Sequence, residues 1–548
     1  MLRWLINFRA LFLLLSLGIK SLAHAHDTND ERPLVISICA YNCSSWVLQN
    51  LDSIFSQNYK NFRVIYIDDG SLDTTVEQVE KYRDEHALSD KITLIANPVR
   101  VGKLKNIYHA FHTCKDTEII VQVDGDDWLP TTHIFERINQ AYQEQDVWLT
   151  YSDFYVHPEG TKEWCVPQPV PDHIKQKRAY RNWKWVFTHL RTFYAWLYKS
   201  VKLEDFITEL SPGFEGKFFP ICNDMAAFFP MLEMCGPHFS FIPEKLYVYN
   251  RDNPILGAKL YGHLYKPIGE DVRKREKYPL VEKPKFNHLA SLAQAQAHLI
   301  ILSNGILKDL SRIISSLNRN ASDIKRVTVV LDKKTAELQT FAKKHASTHF
   351  VYLTQQSCNE ALSSIVQKSS ESHVIIAKDA IFIEQPIDIR ACINELETTQ
   401  AHAFYLGFMH TNMPFYNPET KREIVPHQHI WNNVYAWKFR IGYDRLCNNL
   451  DMTLFTKNTF IKRLQSLPEA QTVCSFIDAW QQCNATNQHE VGLFYDNAKL
   501  GGNLSLHTHA NYTACLPIVP THISMKEYVM SLLQINAQLF NKEYNARY

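Results

Sequence analysis

Acidic and polar side chains stand at three places in the first quarter of the chain, each directly after a short apolar stretch. In chain order they are Tyr41-Asn42, Asp68-Asp69 and Asp124-Gly125-Asp126-Asp127. Several carboxylates that converge in one crevice repel each other, so they require a cation or a hydrogen-bonding ligand. Mg²⁺ and Mn²⁺ prefer carboxylate oxygens and complete their coordination shells with phosphate oxygens. The pattern therefore predicts a site for Mn²⁺ or Mg²⁺ together with a phosphate-bearing ligand.

The apolar stretches have the composition of buried strands, and helical segments separate them. The predicted strands are 34–39, 62–67, 92–95 and 118–123. Between the first two, apolar residues recur at helical spacing from Val47 to Phe55. This alternation predicts a parallel sheet with right-handed crossovers, whose ligands bind beyond the carboxyl ends of the strands. A nucleotide diphosphate-sugar would satisfy the arrangement, with Asp126 holding the metal ion that bridges the diphosphate.

The acidic turns belong to sequence blocks that occur in order between about residues 33 and 130. The blocks are Val35-Ile36-Ser37-Ile38 with Tyr41-Asn42, Leu51-Asp52-Ser53-Ile54-Phe55-Ser56-Gln57-Asn58-Tyr59 leading to Ile67-Asp68-Asp69-Gly70-Ser71, Asn97-Pro98-Val99-Arg100-Val101-Gly102-Lys103, and Asp124-Gly125-Asp126-Asp127. Together they resemble the family 2 glycosyltransferases, which is far more specific than a lone Asp-x-Asp. The resemblance implies a GT-A fold: an α/β, mostly parallel sheet that binds a nucleotide-sugar.

The resemblance also implies roles for individual residues in metal-assisted sugar transfer, usually with inversion at the anomeric carbon. Asp69 with Asp68 would contact the nucleoside, and Tyr41 and Asn42 would belong to the same donor site. Asp124 would contact the ribose or phosphate, Asp126 the metal ion, and Arg100 and Lys103 the phosphates. Two plainer interpretations stay open: Asp68 is a turn residue, because Asp-Gly-Ser favours turns, and Asp126 and Asp127 belong to a capped, solvated loop.

The acceptor side needs a base, and the family places an acidic residue in a later block, often as Glu-Asp. This chain has Cys222-Asn223-Asp224-Met225, so Asp224 is the candidate, with Asn223 in place of the usual Glu. A carboxylate can take the hydroxyl proton as the new C–O bond forms. The alternative is that Asp224 caps a helix over residues 225–232.

An aromatic stretch, residues 182–196, contains His189-Leu190-Arg191, which resembles another block of some family members. His189 and Arg191 are therefore candidates for contacts with the donor phosphates or the acceptor, and an exposed tryptophan there would stack on a sugar. The alternative is that these aromatic residues pack in the core. A further candidate for reaching the diphosphate is Tyr249-Asn250-Arg251.

The first 25 residues have the pattern of a secretory signal peptide. Arg3 and Arg9 precede an apolar run, and Ala23 and Ala25 supply a small-residue cleavage site. We expect export or entry into a secretory lumen. The alternative is an uncleaved signal anchor, in which case the protein is membrane-anchored and contacts the membrane there.

The domain organisation is predicted from the repeated alternation of strands and helices. We expect a signal peptide at 1–25, a GT-A domain at 33–270, a charged, proline-containing linker at 271–286 and a second α/β domain at 287–548. The second domain is expected to be a degenerate GT-A-like fold without a metal site, because Lys378-Asp379-Ala380 follows its strand 374–376.

Composition agrees with a folded enzyme and argues against several other classes. The chain has 548 residues, 45% of them hydrophobic, with 58 basic and 57 acidic side chains. Such a chain is globular, and its formal charge of +1 gives no basic surface for nucleic acid. The leading hypothesis is an inverting, metal-dependent glycosyltransferase that moves a sugar from a nucleotide-diphosphate donor, foremost a UDP-sugar, to a glycan, protein or lipid hydroxyl. The alternative is an exported, non-catalytic carbohydrate- or nucleotide-binding protein built on inactive folds.

Overall fold

The computed structural model describes residues 31–502, apart from 145, 160–164, 209–215, 255–256, 287–294, 410–415, 418–421, 424–426, 432–433, 439–449, 483–490 and 496–498. The described residues belong to one compact unit. The predicted signal peptide lies outside the described residues, as does the end of the predicted second domain. No helix within the described ranges is long and apolar enough to span a bilayer.

The first half forms a seven-stranded sheet of order β3-β2-β1-β4-β6-β5-β7. Its strands are β1 (Leu34–Ala40), β2 (Phe62–Asp68), β3 (Ile92–Ala96), β4 (Ile119–Asp124), β5 (Leu149–His157), β6 (Arg191–Tyr194) and β7 (Phe239–Asn250). The first four in this order are parallel, β6 is antiparallel to both of its neighbours, and β7 is parallel to β5. The predicted mostly parallel sheet is confirmed, and the carboxyl ends of β1, β2 and β4 lie side by side.

The second half forms a nine-stranded sheet of order β11-β10-β8-β12-β20-β15-β21-β19-β18. Its strands are β8 (Ala297–Ser303), β10 (Ile324–Leu331), β11 (Thr348–Tyr352), β12 (His373–Lys378), β15 (Ala403–Met409), β18 (His427–Trp431), β19 (Val434–Lys438), β20 (Thr453–Thr456) and β21 (Val491–Tyr495). Short two-stranded ladders use β9 (Ala321–Ser322), β13 (Ile381–Ile383), β14 (Ile387–Asp388), β16 (Tyr416–Asn417), β17 (Arg422–Glu423) and β22 (Leu500–Gly502).

The second sheet repeats the topology of the first. We set β18 and β19 aside and number the remaining seven strands from 1 to 7 in chain order. Their spatial order across the sheet is then 3-2-1-4-6-5-7, which is the order of the first sheet. The directions also agree: four parallel strands, then one antiparallel to both neighbours, then a parallel pair. Lys378 ends β12 where Asp124 ends β4, and its ammonium lies 2.7 Å from the buried carboxylate of Asp451.

The helices pack on the faces of the two sheets and on each other. They are α1 (Val47–Phe55), α2 (Thr75–Glu85), α3 (Lys103–Thr113), α4 (Ile134–Glu144), α5 (Asp172–Lys177), α6 (Ala195–Lys199), α7 (Asn223–Cys235), α8 (Gly257–Lys274), α9 (Leu307–Asn320), α10 (Ala336–Lys344), α11 (Cys358–Lys368), α12 (Ile389–Thr399), α13 (Lys457–Ser466) and α14 (Val473–Gln482). Helix α7 is buried all round, with every residue from Met225 to Cys235 buried, as expected for a helix at the centre of a domain.

The stretch predicted as a linker differs from that prediction. Residues 271–274 form the last turn of α8, and Arg275 and Tyr278 beyond it are buried. Arg275 donates hydrogen bonds to the carbonyls of Glu204 and Ile207, so it ties the end of α8 to the first half of the chain. The charged residues of this stretch suggested solvent exposure, but Arg273 and Arg275 donate hydrogen bonds to backbone carbonyls instead.

A buried ion pair joins α7 to the turn at Tyr180–Asn182. Arg181 Nε lies 2.7 Å from Glu233 Oε1, and Nη2 lies 3.0 Å from Oε2. The amide of Tyr278 donates to the same carboxylate. Removing one partner of such a pair leaves a buried charge without compensation.

We expect Glu233→Gln to lower the free energy of unfolding by about 3–5 kcal/mol, because Arg181 stays buried and charged. Urea unfolding followed by tryptophan fluorescence measures the change. The control is Glu85→Gln, which removes an exposed pair 3.8 Å long with Lys81, and it should cost less than about 0.5 kcal/mol. If the two substitutions lowered the free energy of unfolding equally, the buried Arg181–Glu233 pair would not stabilise the fold more than an exposed pair.

Two histidines of α3 face the second half of the chain. His112 Nδ1 lies 2.6 Å from the Tyr108 carbonyl, and His112 lines a small cavity together with Glu397 and Thr398. Burial lowers the pKa of both His109 and His112 to about 4. An unfolded histidine has a pKa near 6.5, so their contribution to stability is complete above pH 6.5 and is lost as the pH falls towards 4.

His112→Asn should therefore reduce the stability lost between pH 6.5 and 4.5 by about 1–2 kcal/mol, after allowance for partial exposure. Urea unfolding of the variant, the wild type and the exposed-site control His263→Asn across this range is the measurement. Parallel curves for all three proteins would show that this pair does not govern the acid response.

Candidate active site

A cleft of about 1490 Å³ lies at the carboxyl ends of the central strands of the first sheet. Nine of the predicted site residues line it, namely Tyr41, Asp69, Arg100, Lys103, Asp124, Asp126, His189, Arg191 and Asp224. Two do not, Asn42 and Asp68. The structure therefore brings the acids from two separate strand ends together with the acid from α7.

Asp69 fixes the loop between β3 and α3. Its Oδ1 accepts hydrogen bonds from the amide of Val101 at 2.8 Å and from the side-chain amide of Asn106 at 2.8 Å. The amide of Gly102 also donates to this carboxylate. The loop approaches closely: a Cβ on Gly70, where φ is +73°, would lie 2.7 Å from the amide nitrogen of Arg100. Asp69 thus holds in place the backbone that carries Arg100 and Lys103.

Asp68 and Asn42 hold the turns next to the cleft and do not line it. Asp68 is buried, and its two oxygens accept from the amide and the hydroxyl of Ser71. Asn42 accepts from the amide of Leu72, and its own amide donates to the Ser71 hydroxyl. These contacts match the turn-residue interpretation of Asp68 and give no direct contact with a ligand.

Arg100 and Tyr41 form one wall of the cleft. The guanidinium carbon of Arg100 lies 4.0 Å from the centre of the Tyr41 ring, and Arg100 Nε is 3.6 Å from Asp69. A cation stacked on an aromatic ring keeps a fixed position while its remaining donors face the cleft. This wall combines a flat ring with a positive charge.

Asp124 is paired with a lysine across the cleft floor. Lys103 Nζ lies 2.5 Å from Asp124 Oδ1. Burial alone would raise the pKa of Asp124, but Lys103, with smaller contributions from His189 and Arg191, outweighs it and lowers the pKa to about 2. The same pair raises the pKa of Lys103 although burial opposes this. Both groups are therefore charged at neutral pH.

Asp126 and Asp127 point to different surroundings. Asp127 is buried, and it accepts from the hydroxyl of Tyr247 at 2.7 Å and the amide of Asn250 at 2.7 Å. Asp126 lines the cleft and accepts from the side-chain amide of Asn253 at 2.8 Å. Burial and the neighbouring acids raise the pKa of both carboxyl groups. A cation beside Asp126 would stabilise the ionised form of its carboxyl group and so lower this pKa.

Gly125 brings the acidic turn against β1. Its amide donates to the carbonyl of Cys39 at 3.2 Å. A Cβ at this position would lie 2.6 Å from the Cβ of Ala40, far inside van der Waals contact. The turn can approach β1 only because residue 125 has no side chain.

The donor set of this turn is compatible with a divalent cation. Atoms of Asp124, Asp127 and His189 lie within 4.8 Å of one another, the one such grouping within the described residues. Both oxygens of Asp127 already accept hydrogen bonds, whereas Asp126 lines the cleft and accepts a hydrogen bond from the side-chain amide of Asn253. Carboxylate oxygens suit Mg²⁺ and Mn²⁺, so the side chains present fit either ion.

His189 is a neutral, stacked ring. It lies parallel to Tyr247, with ring centres 4.6 Å apart, and close to Tyr249. Burial and then Arg191 lower its pKa to about 3. At neutral pH it therefore offers the cleft a hydrogen-bonding ring and no positive charge.

Asp224 lies in the first turn of α7, and Arg191 on β6 holds it. Arg191 Nη1 is 3.3 Å from Asp224 Oδ2, while its Nε reaches Gln122. The helix cap is Cys222, with φ of +61°, so the interpretation of Asp224 as the helix cap is wrong. The Asp224 side chain is partly exposed and lines the cleft, and its Oδ1 accepts a hydrogen bond from the amide of Met225 at 2.9 Å.

The aromatic stretch divides between core and cleft. Trp196 is buried against Trp148, as the core-packing interpretation predicts. Trp185 lines the cleft, and its ring packs edge-on against Phe229. Only Trp185 of these is therefore placed to meet a ligand in the cleft.

The sequence pattern did not identify Tyr247 and Asn253, which lie 120 to 127 residues from the acids they contact. The Tyr247 hydroxyl also accepts from the amide of Asp124 at 2.9 Å, so it joins both ends of the acidic turn. No motif or spacing in the sequence signals these contacts, because they arise where the end of β7 and the residues after it meet the acidic turn, next to the bridge between Trp128 and Val248.

The model of the family named Glycosyl transferase family 2 matches residues 35–206. The chain is 32% identical over 124 residues to the UDP-Glc:alpha-D-GlcNAc-diphosphoundecaprenol beta-1,3-glucosyltransferase WfaP of Escherichia coli, a match covering 23% of this chain. It is 23% identical over 220 residues to the glycosyltransferase GlyG of Streptococcus pneumoniae, covering 38% of this chain and 68% of that relative. The chain spans about half of the WfaP relative, 47% of its length.

Among solved structures, the chain is similar to S. aureus TarS 1–349 in complex with UDP-GlcNAc. The TM-score is 0.34 at 15% identity, over 45% of this chain and 68% of that one. Asp224 lies beyond the segment that the family model matches. The matched segment contains β1, β2 and β4 and the acids at their ends, so the predicted resemblance to the family 2 glycosyltransferases is confirmed over residues 35–206.

Proposed function

We propose that the cleft transfers a sugar from a nucleotide-diphosphate donor, a UDP-sugar foremost, to an acceptor hydroxyl with inversion at the anomeric carbon. One observation carries the proposal: the acids of the strand ends and the acid of α7 line the same cleft. A donor bound at the strand ends would then present its anomeric carbon towards Asp224. The name of the E. coli relative, a glucosyltransferase that uses UDP-Glc, supports this choice of donor.

The donor side of the cleft supplies the contacts that a nucleotide diphosphate requires. Arg100 stacked on Tyr41 offers a flat ring and a cation, and Lys103 adds a second cation beside Asp124. Mn²⁺ or Mg²⁺, held by Asp126 with Asp124, would neutralise charge on the leaving diphosphate. These side chains are held before the donor arrives, so little reorganisation is needed on binding.

Asp224 is the proposed base of the transfer. Its carboxylate accepts the proton of the acceptor hydroxyl while the oxygen attacks the anomeric carbon, and the diphosphate leaves from the opposite face. Arg191 orients the carboxylate, and its charge lies close to the reacting groups. A single displacement of this kind inverts the configuration.

We also propose that the reaction occurs in a secretory lumen or at the cell exterior, as the signal-peptide pattern of residues 1–25 indicates. Comparing the N-terminus of the protein recovered from its source with the translated sequence tests cleavage. A retained Met1 and membrane fractionation would instead favour the anchored form.

Asp126→Asn should lower nucleotide release by at least about a hundredfold, which corresponds to about 2.7 kcal/mol of transition-state stabilisation. The assay incubates the protein with Mn²⁺, a panel of UDP- and GDP-sugars and an acceptor extract. Asp252→Asn is the matched control, since Asp252 is an exposed acid on the neighbouring loop. Wild-type rates in Asp126→Asn, or no release from any donor by the wild type, would refute the proposed function. UDP binding without transfer would favour the non-catalytic alternative.

Asp224→Asn tests the base. We expect kcat to fall by about 10²- to 10⁴-fold, because general-base catalysis contributes that much, while the Kd for UDP with Mn²⁺ stays within about twofold. Calorimetric titration and steady-state kinetics give the two quantities. A large rise in the Kd would place Asp224 in the donor site, and an unchanged kcat would assign the proton to another group.

A further inference from the structure

The cleft carries more positive charge than its own acids balance. Among the described residues that line it, nine are lysine or arginine and five are aspartate or glutamate. Three of the nine pair with cleft carboxylates: Arg100 with Asp69, Lys103 with Asp124 and Arg191 with Asp224. Five others, Lys105, Lys184, Arg251, Lys266 and Arg273, form no ion pair within the described part of the chain.

Of these five residues, Arg273 is the one whose guanidinium is held by contacts with the protein. Its Nη1 donates to the carbonyls of Arg181, at 2.5 Å, and Trp183, at 2.8 Å, and its guanidinium lies over the Phe229 ring at 5.1 Å. Burial lowers its pKa. Its Nε and Nη2 have no hydrogen-bond partner within the described residues, and the side chain lines the cleft. A fixed guanidinium with open donors is suited to a planar or tetrahedral oxyanion.

The neighbours of Arg273 place it on the acceptor side. Tyr265 and Cys222 contribute to its electrostatic environment, and the same two groups are affected by Asp224. The Cys222 thiol also lies 3.6 Å from the Tyr265 carbonyl. Phe229, which the Arg273 guanidinium covers, belongs to α7, the helix that also carries Asp224. Arg273 therefore lies beside the helix of the proposed base.

An aromatic ring stands beside the guanidinium. Phe229 contacts Arg273 on one side and Trp185, at 5.4 Å between ring centres, on the other. Trp185 lines the cleft, so a sugar ring stacked on its face would have a substituent within reach of Arg273. Exposed Lys184 and Lys266 line the same region of positive charge.

We propose that the acceptor is a sugar bearing an anionic substituent, a carboxylate, phosphate or sulfate, which Arg273 binds while Asp224 meets the reacting hydroxyl. The inference rests on the proposed function, because it specifies the acceptor of that same cleft. An acidic substituent would compensate the half-buried guanidinium and would select charged acceptors over neutral ones.

The test measures binding of matched ligands to the full chain by NMR titration in the presence of UDP and Mn²⁺. The ligands are methyl glucoside, its 6-phosphate, its 6-sulfate and methyl glucuronide. At least one anionic ligand should bind about tenfold or more tightly than the neutral glucoside, and the three anionic arms identify the group. Arg273→Gln should remove this difference, Arg273→Lys should keep part of it, and the control Lys274→Gln, an exposed cation outside the cleft, should keep all of it.

Several outcomes would overturn the inference. They are equal binding of neutral and anionic ligands, an anionic preference that survives in Arg273→Gln, and a loss of UDP affinity in Arg273→Gln that equals the loss of ligand affinity. If Arg273→Gln unfolds at a lower temperature than the wild type, the anionic preference of Arg273→Lys is the deciding measurement. A preference in Arg273→Lys equal to that of the wild type would then count against the inference. Failure of the wild type to bind any nucleotide with Mn²⁺ would instead refute the proposed function, so the two failures are distinct.

Discussion

Mutual repulsion among four carboxylates is the constraint that organises the first half of the chain. Parallel strands deliver Asp69, Asp124, Asp126 and Asp127 to one edge of the sheet, and each is compensated differently. Asp69 accepts hydrogen bonds from backbone amides and from Asn106, and Asp124 forms an ion pair with Lys103. Asp127 accepts hydrogen bonds from Tyr247 and Asn250. Asp126 receives one side-chain amide and faces the cleft. These contacts hold the loop 97–102, the start of α3 and the end of β7 around the cleft.

The sequence predicted the parts of this arrangement that depend on local pattern. Short β-rich stretches followed by polar residues identified the strand ends, since the carboxyl ends of neighbouring parallel strands must meet. It could not separate Asp68 from Asp69, because Asp68 ends β2 and Asp69 is the next residue, and only the pleat of the strand decides which side chain turns towards the cleft. Tyr247 and Asn253 were missed because strand pairing, not sequence spacing, brings them to the acids. Arg273 was assigned to a linker, because charge alone does not reveal that an arginine caps buried carbonyls.

The corresponding edge of the second sheet carries a different set of polar groups. Its strands repeat the order and directions of the first, yet Lys378 stands at the position of Asp124 and pairs with Asp451. Asp379, one residue later, accepts hydrogen bonds from Ser303 and Asn304 at the end of β8. The polar groups at this edge satisfy one another. The fold is thus set by strand order and apolar burial, whereas chemistry depends on a few residues at the strand ends.

The contact between Gly125 and Ala40 has a consequence for how this turn tolerates change. The x in Asp-x-Asp stands for any residue, but at Gly125 any larger residue would collide with β1. The displaced turn would carry Asp124 away from Lys103 and Asp126 away from Asn253 at the same time. A side chain at residue 125 would therefore disturb both flanking acids together, although it would touch neither of them.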